Sequence, residues 1–233
     1  REKVNYGLSL IQDQNPDLIL FTGDLVNNRA DELNPWQNLF SQLSAPDGVY
    51  SVLGNHDYGD YVSWPNAEDK QDNMDDLKNR QEKMGWRLLL NEHQIIERDT
   101  DRIALIGVEN WGAGGFKKSG DFEKATQGLD PEGFNILMSH DPSHWEHQVK
   151  DHKLKVHLTL SGHTHGMQFG LDIPGLIKWS PIQYRYPYWA GIYREKDQFL
   201  NVNRGFGFIG YPGRVGIKPE VSVLKLKKGT KST

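Results

Sequence analysis

The chain has no cysteine among its 233 residues. That excludes disulfide staples and thiolate ligands together, so any metal must be held by nitrogen and oxygen donors. No run of about 18 apolar residues occurs, which excludes a membrane-spanning helix within this sequence. No signal peptide is visible. Basic residues do not predominate either: 27 Lys and Arg face 31 Asp and Glu, a formal charge of −4. This argues against general affinity for nucleic-acid phosphates, and no stable nucleic-acid complex is expected. Internal repeats, low-complexity tracts and linkers are also missing, so one compact domain over residues 1–233 is expected. What the chain does have in quantity is aromatic side chains, with seven Trp and nine Tyr.

Hydrophobic periodicity alternates between helix and strand. Val4, Leu8 and Ile11 share a helical stripe that ends at Asn15-Pro16-Asp17. Residues 18–21 are a continuous apolar run, as in a buried parallel strand. A helix is expected over 35–43, with Asn34 as its cap and Pro35 in its first turn. Residues 49–53 read as a strand and 67–84 as a charged helix. Strands follow at 86–90, 94–98 and 102–108, the last two forming a hairpin across residues 99–101. A short helix is expected at 121–127, a strand at 134–138, a helix at 143–150 and a strand at 156–160. A hairpin joins 191–193 to 199–202, and alternation over 220–226 predicts a closing strand. The rhythm is that of an α/β fold whose functional loops lie at the carboxyl ends of parallel strands.

Four of those strand ends carry potential ligands: Asp24, Asn55 with His56, His140, and His163 with His165. Taken singly, each has a plain structural reading. Gly23-Asp24 is a common turn pair, Gly54-Asn55-His56-Asp57 can be a tight turn, His140 can open a helix, and His163-Thr164-His165 can be a solvated loop. Taken together and in this order they suggest a shared site. Adjacent strands lie about 4.8 Å apart, so their ends can converge on one small volume. Residues two apart at a strand mouth point to the same side, which lets both His163 and His165 reach it. Two cations about 3.5–4 Å apart need a bridging ligand, and Asp24 suits that role.

The Gly-Asp, Gly-Asn-His-Asp, later His and Gly-His-Thr-His motifs resemble those of the calcineurin-like metallophosphoesterase superfamily in type, order and spacing. The segments Gly191-Ile192-Tyr193-Arg194, Asn203-Arg204-Gly205-Phe206-Gly207, Gly213-Arg214 and Pro219-Glu220-Val221 are similar to its membrane-associated bacterial branch. The resemblance implies a mixed α/β, four-layer αββα sandwich with two mixed β-sheets. It implies two divalent metal ions (Mn, Fe or Zn) and hydrolysis of a phosphate mono- or diester by metal-activated hydroxide. Residue by residue, Asp24 would bridge the metals, Asn55, His140 and His163 would hold one, and His165 would hold the other. His56 would be catalytic at the leaving-group oxygen, with Asp57 orienting it. The family also opens with an Asp-x-His motif on its first strand, and none occurs here. The expectation is therefore an N-terminally truncated chain that lacks that strand, with the His165-side site incomplete. Asn27 stands where purple acid phosphatases carry a metal-binding Tyr, which argues against an iron–tyrosinate centre.

The substrate is expected to be a phosphoester, with a lipid or cell-envelope molecule suggested by the branch. Membrane proximity would come through residues upstream of this chain, and a monomer is expected. Tyr58, Tyr61, Trp64, Trp111 and the aromatics between 179 and 189 either rim the cleft or pack the second sheet. The alternatives are a nuclease or nucleotide phosphodiesterase, and a metal-poor non-catalytic scaffold on the same fold.

Overall fold

The computed structural model describes residues 2–173 and 175–229. Helix α1 (Glu2–Gln12) leads into β1 (Ile19–Phe21), and a four-residue α2 (Gln37–Phe40) precedes β2 (Val49–Ser51). The long α3 (Ala67–Lys83) precedes β3 (Trp86–Leu88), and the three strands form one sheet in the order β1-β2-β3, all parallel. The side chain of Asn66 caps α3 by accepting from the amide of Asp69 at 2.8 Å. Acidic Glu68 and Asp69 in its first turn and basic Arg80 and Lys83 in its last complement the helix dipole.

The second sheet is larger. It contains the hairpin β4 (Glu92–Arg98)–β5 (Asp101–Gly107), then β6 (Phe134–Met138) and β7 (Leu158–Ser161). A short α4 (Phe122–Ala125) lies between β5 and β6. A separate two-stranded hairpin, β8 (Leu171–Ile173) and β9 (Ile177–Trp179), follows β7. The chain then returns as β10 (Gly191–Glu195) and β11 (Gln198–Val202), giving the order β10-β11-β7-β6-β5-β4. The inner pairs of this sheet are parallel and its two edge pairs are antiparallel.

Strand alternation sorts the side chains into layers. Tyr50 and Val52 of the first sheet meet Leu105, Ile136, Met138 and Leu160 of the second in an apolar layer between the sheets. Val49, Leu53 and Trp86 point the other way, onto Leu8, Phe40 and Leu77 of the helices. Ile106, Leu137, Leu200 and Val202 face outward from the second sheet onto Phe122, Trp145 and Val149. The result is the expected αββα sandwich. Leu105, Leu137 and Met138 are fully buried, each contributing about 1.5–3 kcal/mol of transfer free energy.

Several local expectations are corrected. The three-stranded sheet is purely parallel among the described residues, so only the larger sheet is mixed. The expected helix over 35–43 contracts to Gln37–Phe40, and a separate 3-10 turn precedes it at Ala30–Leu33. Asn34 closes that turn and caps no helix. The helix expected at 143–150 is a single π-helical turn, Trp145–Val149, which drives Trp145 into the outer core. Residues 220–226 form no strand. Their alternation is real, but a strand also needs a ladder partner. Here Val223 and Leu226 stay exposed, and Ser222 accepts from the side chain of Asn203 instead.

Candidate metal centre

Each ligand-bearing segment begins where a parallel strand ends. After β1 the backbone turns through Gly23 (φ 94°) and Asp24 (φ 57°). A left-handed aspartate is uncommon, and the buried carboxylate of Asp57 holds this one in place. It accepts from the amides of Asp24 (2.9 Å), Leu25 (2.8 Å), Val26 (3.2 Å) and Gly54 (2.8 Å). Asp57 thus ties the β1 loop to the β2 loop. Among the described residues it makes no hydrogen bond to the His56 ring. The ring's Nδ1 lies 2.8 Å from the carbonyl of Asn27, while its face packs on Tyr61 with centroids 4.5 Å apart. Gly54 is required by close approach: a Cβ there would land against Asp24 Oδ1 and 2.7 Å from His140 Cε1.

His163 and His165 converge by a different route from the expected strand alternation. β7 ends at Ser161, and both histidines are left-handed (φ 67° and 51°). Between them Thr164 donates to the carbonyl of Trp189 at 2.7 Å. The turn, rather than the pleat, aims the two rings.

The expected residues come together. Donor atoms of Asp24, His140 and His163 all lie within 4.8 Å of one another. Asp24 Oδ2 is 3.0 Å from His140 Nε2 and 3.7 Å from His165 Nε2. Asn55 Oδ1 lies 2.8 Å from His163 Nδ1. His56 contributes its amide, which donates to Asp24 Oδ1 at 3.0 Å.

Two observations show that this donor set fits a cation. First, Asp24 Oδ2 and His140 Nε2 are buried, and although only 3.0 Å apart they are not aligned as a hydrogen bond, so both lack a partner. Buried polar atoms in that state are costly. Second, the hydrogens of neighbouring groups aim bare lone pairs inward. His140 Nδ1 lies 2.6 Å from the carbonyl of Thr22, which can only accept, so Nε2 is the nitrogen free for a metal. The hydroxyl of Tyr186 donates to Asp141 at 3.2 Å and is 2.7 Å from His163 Nε2. An Nε2–H donating to Tyr186 leaves Nδ1 bare against Asn55 Oδ1. The amide nitrogen of Asn55 donates to Tyr61 Oη at 2.8 Å, which turns Oδ1 toward His163. In that tautomer Asn55 Oδ1 and His163 Nδ1 both offer lone pairs to one cation.

The electrostatics agree. Burial holds the His163 imidazole neutral, with its pKa lowered to about 4. Burial also opposes charge on His140, but the neighbouring Asp24 carboxylate outweighs it and raises the pKa to about 9. Asp24 lies well below the usual carboxylate range, because His140 and His165 outweigh its own burial. Without a metal, the proton on His140 stands where a cation would sit.

Asp141, Thr22 and Asn27 are neighbours of the site that the sequence reading did not name as such. Asp141 follows His140 directly, and Asp-Pro there reads as a helix entry; only the fold shows its buried contact at 3.4 Å to His163 Nε2. Tyr61 and Tyr186 do reach the site, whereas Tyr58, Trp111 and Trp189 are buried and Tyr184 is exposed. The site forms one wall of a cleft of about 660 Å³, with Asp24, Asn55, His56, His163 and His165 on that wall. Other walls are apolar, with Phe116, Phe169, Ile182, Ile209 and Val215 among them.

No helix of the described residues is long and apolar enough to cross a membrane. Residues 3–167 match the family model described as calcineurin-like phosphoesterase. An uncharacterized metallophosphoesterase of Bacillus subtilis, YkuE, is 32% identical over 93% of this chain and 70% of its own. A zebrafish "transmembrane protein with metallophosphoesterase domain" is 30% identical over 98% of this chain, which spans about half of that relative's length. A UDP-2,3-diacylglucosamine pyrophosphatase, LpxG, of Chlamydia muridarum is 26% identical over 70% of this chain and 58% of its own. With its ligand-bearing loops gathered at the ends of parallel strands, the chain belongs to the calcineurin-like phosphoesterase family, whose members are dimetal-dependent hydrolases.

Proposed function

We propose that this site hydrolyses a phosphate ester with two divalent cations drawn from Mn, Fe and Zn. The observation that carries the reading is the buried, unpartnered Asp24 Oδ2 and His140 Nε2 beside Asn55 Oδ1 and His163 Nδ1, behind the wall of an open cleft that Asp24, Asn55 and His163 line. Asp24 would be shared between the cations, with Asn55, His140 and His163 on one side and His165 on the other. Cations bound there supply Lewis-acid chemistry: they lower the pKa of water and neutralise charge on the phosphoryl oxygens.

The protein's own residues do the rest. Asn27 fixes the His56 ring through Nδ1, and Tyr61 supports its face, so Nε2 is the nitrogen available to the cleft. From there it stabilises the charge that builds on the phosphoryl group and donates a proton to the leaving oxygen. Asp57 acts one step back: it fixes the β1 and β2 loops, and with them the amide that His56 donates to Asp24.

A lipid or cell-envelope phosphoester is the substrate class we favour. The apolar cleft walls support it, as does a relative whose name specifies a diacylated sugar nucleotide. A membrane or envelope location is in keeping with the zebrafish relative's name. The test compares His56→Ala with the parent protein, using bis-p-nitrophenyl phosphate turnover and elemental analysis. The variant should retain its cations and lose turnover by 10²–10⁴-fold, the usual range for an acid–base group. Unchanged turnover would remove His56 from the mechanism, and absence of any cation from both proteins would remove the mechanism itself. Running single-stranded DNA beside the soluble diester separates this reading from a nuclease.

A further inference from the structure

Beyond the cleft, the β8–β9 hairpin carries apolar surface that the core does not use. Its register pairs Leu171 with Trp179 and Ile173 with Ile177, while Asp172 pairs with Lys178. Alternation therefore puts Leu171, Ile173, Ile177 and Trp179 on one face. Leu171 and Ile173 are each 48% exposed, Ile177 is 41% exposed, and Leu176 in the turn is 78% exposed. A two-stranded hairpin has little stability of its own in water, and this one turns its apolar face away from the core.

The hairpin is continuous with the cleft. Phe169 lines the cleft, is joined side by side to Val215 by an isolated β-bridge and packs edge-on against Trp179. Phe208 and Tyr211 extend the apolar rim beside Val215 and are 53% and 63% exposed. An apolar surface of this extent is uncommon on a protein that meets only water.

Local charge indicates what the surface meets. The whole chain is acidic, at −4. Yet residues 166–191 and 203–218, which build the rim, contain Lys178, Arg185, Arg204, Arg214 and Lys218 against Asp172 alone. Arg204 pairs with Asp172 and Glu220. The other four make no ion pair among the described residues, but Arg214 is spent on the carbonyls of His165, Arg204 and Gly207 and Lys178 on that of Ala190, which leaves Arg185 and Lys218 as the exposed, uncommitted cations. Exposed apolar and aromatic side chains in segments with a basic excess are the pattern of a surface that lies in the headgroup region of an anionic bilayer.

We propose that the β8–β9 hairpin and the adjoining 207–215 loop dock on an anionic lipid surface, so that the apolar cleft opens toward the acyl chains of a membrane-resident phosphoester. This deepens the phosphoesterase reading and rests on it for the substrate. The docking stands on its own observations, since it needs no upstream anchor. The test is cosedimentation of the full chain with vesicles of phosphatidylcholine, with and without phosphatidylglycerol. It is run beside turnover of bis-p-nitrophenyl phosphate in solution.

The protein should partition onto the phosphatidylglycerol vesicles and much less onto phosphatidylcholine alone. The triple variant I173D/L176D/I177D should lose at least tenfold in partitioning, with soluble-diester turnover and melting temperature unchanged. The single variant Lys218→Gln should lose several-fold on anionic vesicles only. The proposal is overturned if the parent stays in the supernatant, or if the triple variant partitions as the parent does. It is also overturned if the triple variant instead abolishes a concentration-dependent self-association, which would make the face a contact between copies. A parent that binds vesicles but does not hydrolyse the soluble diester sinks the phosphoesterase reading and leaves the docking intact.

Discussion

His140 shows how a single side chain links folding to metal chemistry. Its Nδ1 is committed to the Thr22 carbonyl, and its Nε2 faces Asp24 Oδ2 across 3.0 Å. With its pKa raised to about 9, it carries a proton at pH 7 that a cation must displace. Cation uptake should therefore release about one proton from His140 at pH 7, and affinity should tighten by up to about tenfold per pH unit until pH 9. Titrating Mn²⁺ into the metal-free protein in weak buffer measures both; uptake with no proton release contradicts this assignment. Gly54 makes a steric counterpart. A Cβ placed there collides with Asp24 and His140, so Gly54→Ala should abolish tight cation binding while the protein still folds. Elemental analysis together with circular dichroism reads both outcomes.

At the scale of one element, the π turn Trp145–Val149 and its leading residue His144 set a pH limit on stability. His144 is buried, with Nδ1 at 2.8 Å from Ser139 Oγ and Nε2 at 3.0 Å from Gln148 Oε1, and it stacks on Trp111. Burial lowers its pKa to about 4 from an ordinary 6.5. Below pH 6.5 the unfolded chain takes up a proton at this position that the folded chain refuses. The contribution is therefore complete above 6.5 and is lost as pH falls toward 4. The magnitude is about 3 kcal/mol over that window. His144→Asn should flatten the slope of unfolding free energy between pH 6.5 and 4, as seen in urea melts. An unchanged slope assigns the pH dependence to another group.

Across the whole molecule, the centre joins the two sheets. Asp24 and Asn55 come from the ends of β1 and β2, while His140, His163 and His165 come from the ends of β6 and β7. A cation held by both sets binds only when the sheets are docked, so its binding free energy adds to their cohesion. Manganese at 100 times its dissociation constant should stabilise the protein by about 2.7 kcal/mol, and chelation should reverse the effect. Calorimetry with and without chelator tests this; a melting temperature insensitive to cations contradicts a centre shared between the sheets. Removing inter-sheet volume is the apolar equivalent. Ile136→Ala empties a site packed between the sheets and should cost about 2–5 kcal/mol.

The sequence alone determined what depends on local chemistry and period. The apolar runs of β1, β2, β6 and β7, and Asp24, Asn55, His140, His163 and His165 at their ends, were legible because strands bury alternating or continuous apolar residues and loops carry the polar ones. Tertiary structure decided everything that depends on partners distant along the chain. It turned Asp57 from His56 onto four amides, made Tyr186 and Asp141 neighbours of His163, left residues 220–226 without a strand to pair with, and set an exposed apolar hairpin beside the cleft. Periodicity reports which face of an element is apolar. Only packing fixes what that face meets, because a hydrogen bond or a close contact is a property of two segments and neither one encodes the distance between them.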